Sequence, residues 1–341
     1  MRPGTLVRAA REGAPRLRLR AFRDGRAAFR LAATRALLEN GLLDALDASG
    51  APGDALQVTQ QAGLTDVDLT RALLELGEAY GLVRRRATTW ELTRKGRSLV
   101  RDATGRAMVE ALGGYHVDLY RELPNQLRGG AGRDDLETHA ELIARVSSAL
   151  APFIRDTVVA AVTAGQPQRV LDIGCGDGEY LAAMLQQSSG AHGVGLETDE
   201  RVAAIARDRL ASLGGRGQVL VGSAPADLGR AADALGGPAD LVLLANVIYY
   251  VPPADRAAFL SEVAAITAPG GSVLVVTTVA EATTASRHIG LLFLAQRTPM
   301  LLPTAEGLVT DLRRAGFAVD RARRIAPGEP IVAAVGRRQS G

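Results

Sequence analysis

The chain has 341 residues, 47% of them hydrophobic and 4% aromatic, and 40 basic against 37 acidic side chains leave a net charge of +3. That length allows two domains with cores of their own, no run of about 18 apolar residues is present to cross a bilayer, and Leu6-Val7 is too short for a signal-peptide core, so a cytoplasmic protein with no membrane partner is expected. A single cysteine, Cys175, excludes an internal disulfide and a cysteine-built zinc cluster.

Lys95 is the only lysine, and arginine crowds the start: Arg2, Arg8, Arg11, Arg16, Arg18, Arg20, Arg23, Arg26 and Arg30. Such an arm can touch nucleic acid, pack as a helix across a partner subunit, or fray into solvent. Before about Asp24 the apolar spacing is poor. From Ala27 it becomes helical, through Phe29, Leu31, Leu37, Leu38, Leu42, Leu43 and Leu46, until Ala51-Pro-Gly-Asp54 breaks it. A short helix over Val58–Ala62, a turn at Gly63-Leu64 and a second helix over Asp66–Tyr80 follow. Leu69, Leu73, Leu74 and Leu76 are the expected apolar face of that second helix, and Gly81 stops it. Leu82-Val83 and Thr89–Leu92 make two short strands around Arg84-Arg85-Arg86, and Thr93 begins another helix.

This is a winged-helix pattern, which raises DNA binding. The second helix carries Asp66, Asp68, Glu75 and Glu78 against Arg71, an acidic face that phosphates would repel. The pattern, with its wing Trp90-Glu-Leu-Thr-Arg-Lys-Gly-Arg97, resembles the N-terminal dimerisation domain of small-molecule O-methyltransferases. That resemblance implies a subunit interface in place of a DNA reader. Residues 1–105 are expected to form this domain.

Residues 106–165 read as a helical linker. Gly113-Gly-Tyr-His116, Leu119-Tyr120 and Leu123-Pro124 form a polar-aromatic cluster, Arg128–Arg133 a flexible loop, and helices are expected from Thr138 to about Leu150 and from Pro152 to Ala164. Tyr115, His116 and Tyr120 are open to two readings, a part of the substrate cavity or ordinary helix packing.

From Gln166 strands and helices alternate, as in a parallel doubly wound sheet. Strands are expected at Arg169–Ile173, Gly193–Leu196, Gln218–Val221, Leu241–Ala245, Ser272–Thr278, about Ala318–Ile325, and Ile331–Val335. Helices fall near Tyr180–Gln187, Glu200–Leu213, Asp227–Leu235, Pro253–Ala268 and Ala305–Ala315. The fold class is therefore α/β, a Rossmann-like seven-stranded sheet over residues 166–341 behind a mainly helical winged-helix domain.

The richest stretch is Arg169-Val-Leu-Asp-Ile-Gly-Cys-Gly-Asp-Gly-Glu179, a buried strand, a glycine turn and a helix start. Gly174, Gly176 and Gly178 permit positive φ and close approach of a ligand to the backbone. The turn N–H groups and the helix N-terminus face whatever sits above the strand. One strand later, Glu197 ends Gly193-Val-Gly-Leu-Glu197, where a carboxylate can accept both hydroxyls of a ribose. Val170–Gly178 resembles the first motif of class I S-adenosylmethionine (SAM)-dependent methyltransferases more than the dinucleotide fingerprint, because Glu179 stands where a last glycine would be.

The resemblance implies SAM as cofactor. Gly174, Gly176 and Gly178 would meet its amino-acid part, Asp172 its ammonium, and Glu197 its ribose, with Thr198 and Asp199 at the edge. Ser223 and Ala224 follow the third strand where the family usually has an acid for the adenine amine. Asn246 follows the fourth strand, in a position to bond cofactor or substrate, with Tyr249 and Tyr250 on the next turn. Plant-type O-methyltransferases carry a histidine base in that region, whereas this chain has none between His192 and His288.

His288, in Glu281-Ala-Thr-Thr-Ala-Ser-Arg-His288, is left as base, acceptor orienter or one ligand of a metal. Bacterial α-keto acid C-methyltransferases share the two-domain plan and hold a metal, so a divalent cation near His288, His116 and Glu281 is an open option, and Arg287 could pair with a carboxylate. Tyr115, Tyr249, Tyr250 and His288 are thus the candidate catalytic side chains. A small-molecule methyltransferase of secondary metabolism is expected, working as a homodimer, with O-, C- or N-transfer undecided. A winged-helix transcription regulator using SAM as ligand is the rival, and a silent scaffold the third reading.

Overall fold

The computed structural model describes residues 15–339, so Arg2, Arg8 and Arg11 of the expected basic arm lie outside the described residues. The chain divides into two units, one reaching to Gly130 and including Asp134–Ala149, the other made of Ala131–Arg133 and everything from Leu150.

In the first unit helix α1 spans Pro15–Glu39, beginning well before Ala27. Its first half is rich in arginine, alanine and leucine, which favour helix on their own. It buries no periodic face, since Leu17, Leu19, Phe22 and Phe29 are all exposed, and so apolar spacing missed it. Helix α2 (Leu42–Ser49) follows Gly41. A capping box starts α3 (Ala55–Gln61): Gln57 N–H donates to Asp54 Oδ1 and Asp54 N–H to Gln57 Oε1, both at 2.9 Å. Helix α4 (Val67–Ala79) starts on Asp66, whose carboxylate accepts the Leu69 N–H at 2.9 Å.

Strands β1 (Gly53–Asp54), β2 (Val83–Arg86) and β3 (Thr89–Leu92) form an antiparallel sheet in the order β1-β3-β2. Leu37, Leu38, Leu42, Leu43, Leu74, Trp90 and Leu92 make the core of this unit. The buried face of α4 is Thr70, Leu74 and Gly77. Leu69 and Leu76, expected inside, are exposed, because Gly77 must lie against Leu37 and that choice turns them outward.

Helices α5 (Arg94–Arg101), α6 (Ala103–Gly113), α7 (Tyr115–Gln126), α8 (Asp135–Thr138) and α9 (Ala140–Ser147) complete the unit. Residues 106–165, expected as one linker, are therefore divided. Helix α10 (Ala151–Gly165) goes with the second unit because Ile154, Val158 and Val162 pack into the core of the large sheet. The expected loop at Arg128–Arg133 ends in a fixed strap: Arg133 N–H donates to the Ala295 carbonyl at 2.9 Å and Arg297 N–H to the Arg133 carbonyl at 2.7 Å.

The second unit is built on β4 (Arg169–Ile173), β5 (His192–Glu197), β6 (Gly217–Val221), β7 (Ala239–Ala245), β8 (Thr267–Thr278), β9 (Phe317–Ala318), β10 (Arg323–Arg324) and β11 (Ile331–Arg338). The order is β10-β11-β8-β7-β4-β5-β6, with β9 also on β11. Neighbours from β6 to β8 are parallel and β11 is antiparallel to β8. The single strand expected over Ala318–Ile325 is two short pieces, because the register slips by one residue between Ala318, opposite Arg337, and Arg323, opposite Ala333.

Helices α11 (Glu179–Gln187) and α12 (Glu200–Leu210) join α10 on one face of the sheet, with Leu181, Met184, Ala203 and Ala206 buried. Helices α13 (Leu228–Ala234), α14 (Arg256–Ala265) and α16 (Ala305–Arg314) cover the other with Leu228, Leu260, Val263, Leu308 and Leu312. Between β8 and α16 lies α15 (Thr284–Leu294). Among the described residues no single helix is long and apolar enough to cross a membrane.

Candidate active site

The chain leaves β4 for β5 and β6 on one side, then returns to β7 and β8 on the other, so the sheet reverses direction between β4 and β7. Open α/β sheets bind ligands outside the carboxyl ends of their strands at such a point. The glycine turn follows β4 there, and Asn246 follows β7. Gly174, Gly176 and Gly178 all have positive φ, of 70°, 53° and 77°. At Gly174 a side chain would also strike Val247, 2.8 Å from an added Cβ, and at Gly178 it would press on Ala206 at 3.0 Å. The space in front of Gly176 is open. Two positions thus demand glycine for packing, and the third leaves bare backbone facing outward.

The loop is anchored at its root. Gly174 and Cys175 N–H groups both donate to the Leu196 carbonyl, at 2.8 and 3.1 Å. Its middle is tied to Glu197, whose Oε2 accepts the Gly176 N–H at 3.0 Å. Glu197 Oε1 accepts from Thr198 N–H at 2.8 Å, Asp199 N–H at 3.1 Å and the Thr198 hydroxyl at 3.2 Å. Asp199 caps α12 and is held at about 2, first by hydrogen bonding to the Arg201 guanidinium and then to its backbone N–H.

Asp172 is treated the opposite way. It is 0% exposed and neither carboxylate oxygen has a hydrogen-bond partner. Strand alternation puts it on the face of Val170, under α11. Burial, then the charge of Glu197, push it up to about 7; the Leu181 N–H opposes the rise but lies outside hydrogen-bond geometry. Two carboxylates with one open glycine between them gather negative charge at this turn. Cys175 is buried in the turn wall, and a Cβ added at Gly195 would stand 2.6 Å from its Sγ. Burial, backed by the Asp172 and Glu197 charges, pushes the thiol up, which argues for a packing part over a nucleophile.

Asn246 adopts φ 58°, a conformation that asparagine tolerates better than most side chains, and its N–H donates to the Val276 carbonyl at 2.7 Å. Its side-chain amide makes no hydrogen bond to another described residue. Ser223 is exposed; its N–H donates to Asp227 Oδ2 at 2.8 Å, and Ala224 after it packs on the core beside β6. Tyr249 and Tyr250 sit on a turn of 3-10 helix, Ile248–Tyr250, with ring centres 4.8 Å apart. Tyr249 also meets Phe293 of α15 at 4.9 Å, and burial with the neighbouring Tyr250 raises its phenol well above the ordinary range. Tyr250 is 52% exposed.

His288 lies half-buried on α15, and that burial lowers it from 6.5. Glu281 is turned to Arg324, Oε2 to Nη2 at 2.6 Å. Arg287 is exposed. Tyr115 belongs to the first unit, where its buried ring lies 4.4 Å from that of His116 and stacks on His139 at 5.3 Å. Among the described residues no group of three or more His, Cys, Asp or Glu gathers to hold a metal ion. Sequence reasoning overlooked Val247, Phe293 and Arg209, which enter through tertiary packing. A hollow of the second unit, about 1110 Å³ beside Phe153, Ile325 and Val335, is lined by none of the candidate residues.

The family model described as a methyltransferase domain matches residues 143–322, more than half of the chain. No curated protein matches the chain. Among solved structures it is similar to the mitomycin 7-O-methyltransferase MmcR, at 19% identity and TM-score 0.76 over 98% of this chain and 99% of that one. It is similar to human N-acetylserotonin methyltransferase in complex with SAM, at 18% identity and TM-score 0.69 over 96% and 99%. A third is the N,N-8-amino-8-demethyl-D-riboflavin dimethyltransferase RosA of Streptomyces davawensis, at 23% and 0.70 over 96% and 100%. The chain belongs to the methyltransferase-domain family, on the class I methyltransferase fold.

Proposed function

We propose that this protein is a SAM-dependent methyltransferase acting on a small-molecule acceptor in natural-product biosynthesis. The observation that carries the reading is the pair of opposed carboxylates, Asp172 without a partner and Glu197 pre-oriented by four donors, flanking an open glycine turn. The residues fit the cofactor. The two unpaired oxygens of Asp172, buried beside the turn, attract an ammonium group electrostatically, and Gly176 admits close approach. The Thr198 hydroxyl, the longest of the four contacts, can turn from Glu197 to make way for a ribose hydroxyl. Ser223 and Ala224 stand at the adenine end, and Asn246 between cofactor and acceptor.

When bound, SAM supplies an activated methyl on a sulfonium. The chain's part is to bind, orient and exclude water. A base is needed only where the acceptor must lose a proton. His288, whose burial favours the neutral ring, is the side chain on α15 suited to that step. Tyr249 remains a phenol and acts as a donor or an aromatic wall with Phe293, and Tyr250 is an acceptor-side contact. Structural relatives named for O-transfer and for N-transfer leave both acceptors open.

The first unit is proposed as a winged-helix dimerisation domain. Exposed Leu69 and Leu76 on α4 and Phe22 and Phe29 on α1 support an interface. The wing arginines are committed: Arg84 and Arg86 pair with Glu91, and Arg85 with Glu75, which leaves little for phosphates. Leu69→Asp with Leu76→Asp should therefore yield monomers in sedimentation without binding DNA.

Calorimetry with SAM and its demethylated product, S-adenosylhomocysteine, on wild type and Glu197→Ala tests the cofactor. Binding in wild type that is lost in the variant is expected. No binding to wild type overturns the enzyme reading. A screen of phenols, amines and α-keto acids then assigns the acceptor.

A further inference from the structure

Arg209, on the last turn of α12, reaches across to the apex of the glycine turn. Its Nε donates to the Asp177 carbonyl at 2.9 Å and its Nη2 to Asp177 Oδ2 at 2.5 Å. The other carboxylate oxygen of Asp177 accepts the Glu179 N–H at 3.2 Å, at the start of α11. One guanidinium therefore grips main chain and side chain of the same residue, a fork that fits arginine and not lysine. Three turns of contact fix the loop: its root on Leu196, its middle on Glu197, and its apex on Arg209. Gly178, next to the apex, lies against Ala206, one helical turn before Arg209, so α12 supports the loop along one face.

The charge balance points the same way. Asp172, Asp177, Glu179 and Glu197 crowd this turn and its neighbouring strand end, and among the described residues the Arg209–Asp177 pair is the ion pair made to any of the four. We infer that Arg209 is a positioning residue for cofactor binding: it holds the apex so that the Gly176 backbone stays open toward the amino-acid end of the cofactor, and it neutralises Asp177. This rests on the SAM reading above. Arg209 does not touch the reacting atoms.

Its effect belongs to one end of the ligand. Arg209→Ala should weaken S-adenosylhomocysteine about fivefold in calorimetry, a modest factor because the pair is 40% and 46% exposed. Adenosine, which lacks the amino-acid end, should bind wild type and variant equally. In turnover, KM for SAM should rise while kcat at saturation holds. Arg209→Lys, which keeps the charge and loses the fork, should lie between the two, and serves as the test if the alanine variant does not fold. Equal loss for adenosine and S-adenosylhomocysteine would reduce Arg209 to general structure and overturn the inference, as would unchanged affinity for both. Absence of S-adenosylhomocysteine binding in wild type overturns the cofactor reading and the clamp together, whereas a wild type that binds beside an indifferent Arg209→Ala removes the clamp alone.

Discussion

Replacing Asp172 with asparagine should stabilise the ligand-free protein increasingly as pH rises toward about 7, and by a nearly constant amount above it. The carboxyl has no hydrogen-bond partner and no exposure. Its titration moves from 3.8 in the open chain to about 7 in the fold, so the folded state holds a proton that the unfolded state has given up. Stability then falls as pH rises through that interval and stays low above it. At about 1.4 kcal/mol per pH unit, the carboxylate costs the fold roughly 4 kcal/mol at pH 8 and between 1 and 2 kcal/mol at pH 5. Asparagine has no such dependence. Its own buried amide costs about 1–3 kcal/mol, the same at both pH values. The wild-type-minus-variant difference should therefore shift by between 2 and 3 kcal/mol from pH 5 to pH 8, or about 5–10 °C in Tm for a unit of this size. Urea unfolding of both proteins without ligand, at the two pH values, measures it; other titrating groups are common to both and cancel. A difference that does not change with pH would refute the account of Asp172 as a buried, uncompensated charge.

Gly174→Ala should lower stability by about 2–4 kcal/mol in the same assay, from a positive φ and the contact with Val247 together. If His288 is the base, its lowered value puts the acid limb of kcat/KM below pH 6.5, with activity lost as pH falls through it, and His288→Gln should abolish both rate and limb; a limb that persists in the variant belongs to another group. Cys175 should resist thiol reagents in the native protein and react only as fast as the chain unfolds, which denaturant-dependent labelling follows; rapid labelling of native protein would contradict its buried place beside Gly195.

Much of the second unit was legible because its signals are local. Arg169–Ile173 reads as a strand from Val170, Leu171 and Ile173, and the strand has those bounds. The glycines that follow are demanded by φ, a property of the residue itself. Glu197 was found by its place one strand later, and the structure brings it to the turn. What spacing could not show is what depends on other elements. Arg209 sits on an exposed helix face, and nothing in its neighbourhood says that its side chain crosses to Asp177. Phe293 is far from Tyr249 in the chain, and only folding brings the two rings together. The first half of α1 was missed because its apolar residues face outward, and Leu69 and Leu76 were misplaced because Gly77 decides which side of α4 meets Leu37. The last part of the sheet was read as one strand because a one-residue slip of register between Ala318 and Arg323 leaves no mark in composition.

The contrast between the two carboxylates bears on how the site selects its ligand. Glu197 meets four donors before any ligand arrives, so its orientation is set in advance and little ordering is left for binding. Asp172 meets none, and the strand and helix around it supply no cation. A fold that leaves a buried carboxylate without a partner carries a penalty that a hydrophobic residue would remove. A ligand bearing an ammonium group removes the penalty on binding, whereas a neutral nucleoside leaves it in place. Affinity for the amino-acid end should therefore rise with pH as Asp172 ionises through about 7, so long as the ligand amine keeps its proton, while affinity for adenosine stays level. Titration calorimetry of S-adenosylhomocysteine and adenosine at pH 6 and 8 separates the two, and a parallel response of both ligands would mean that Asp172 does not meet the ammonium.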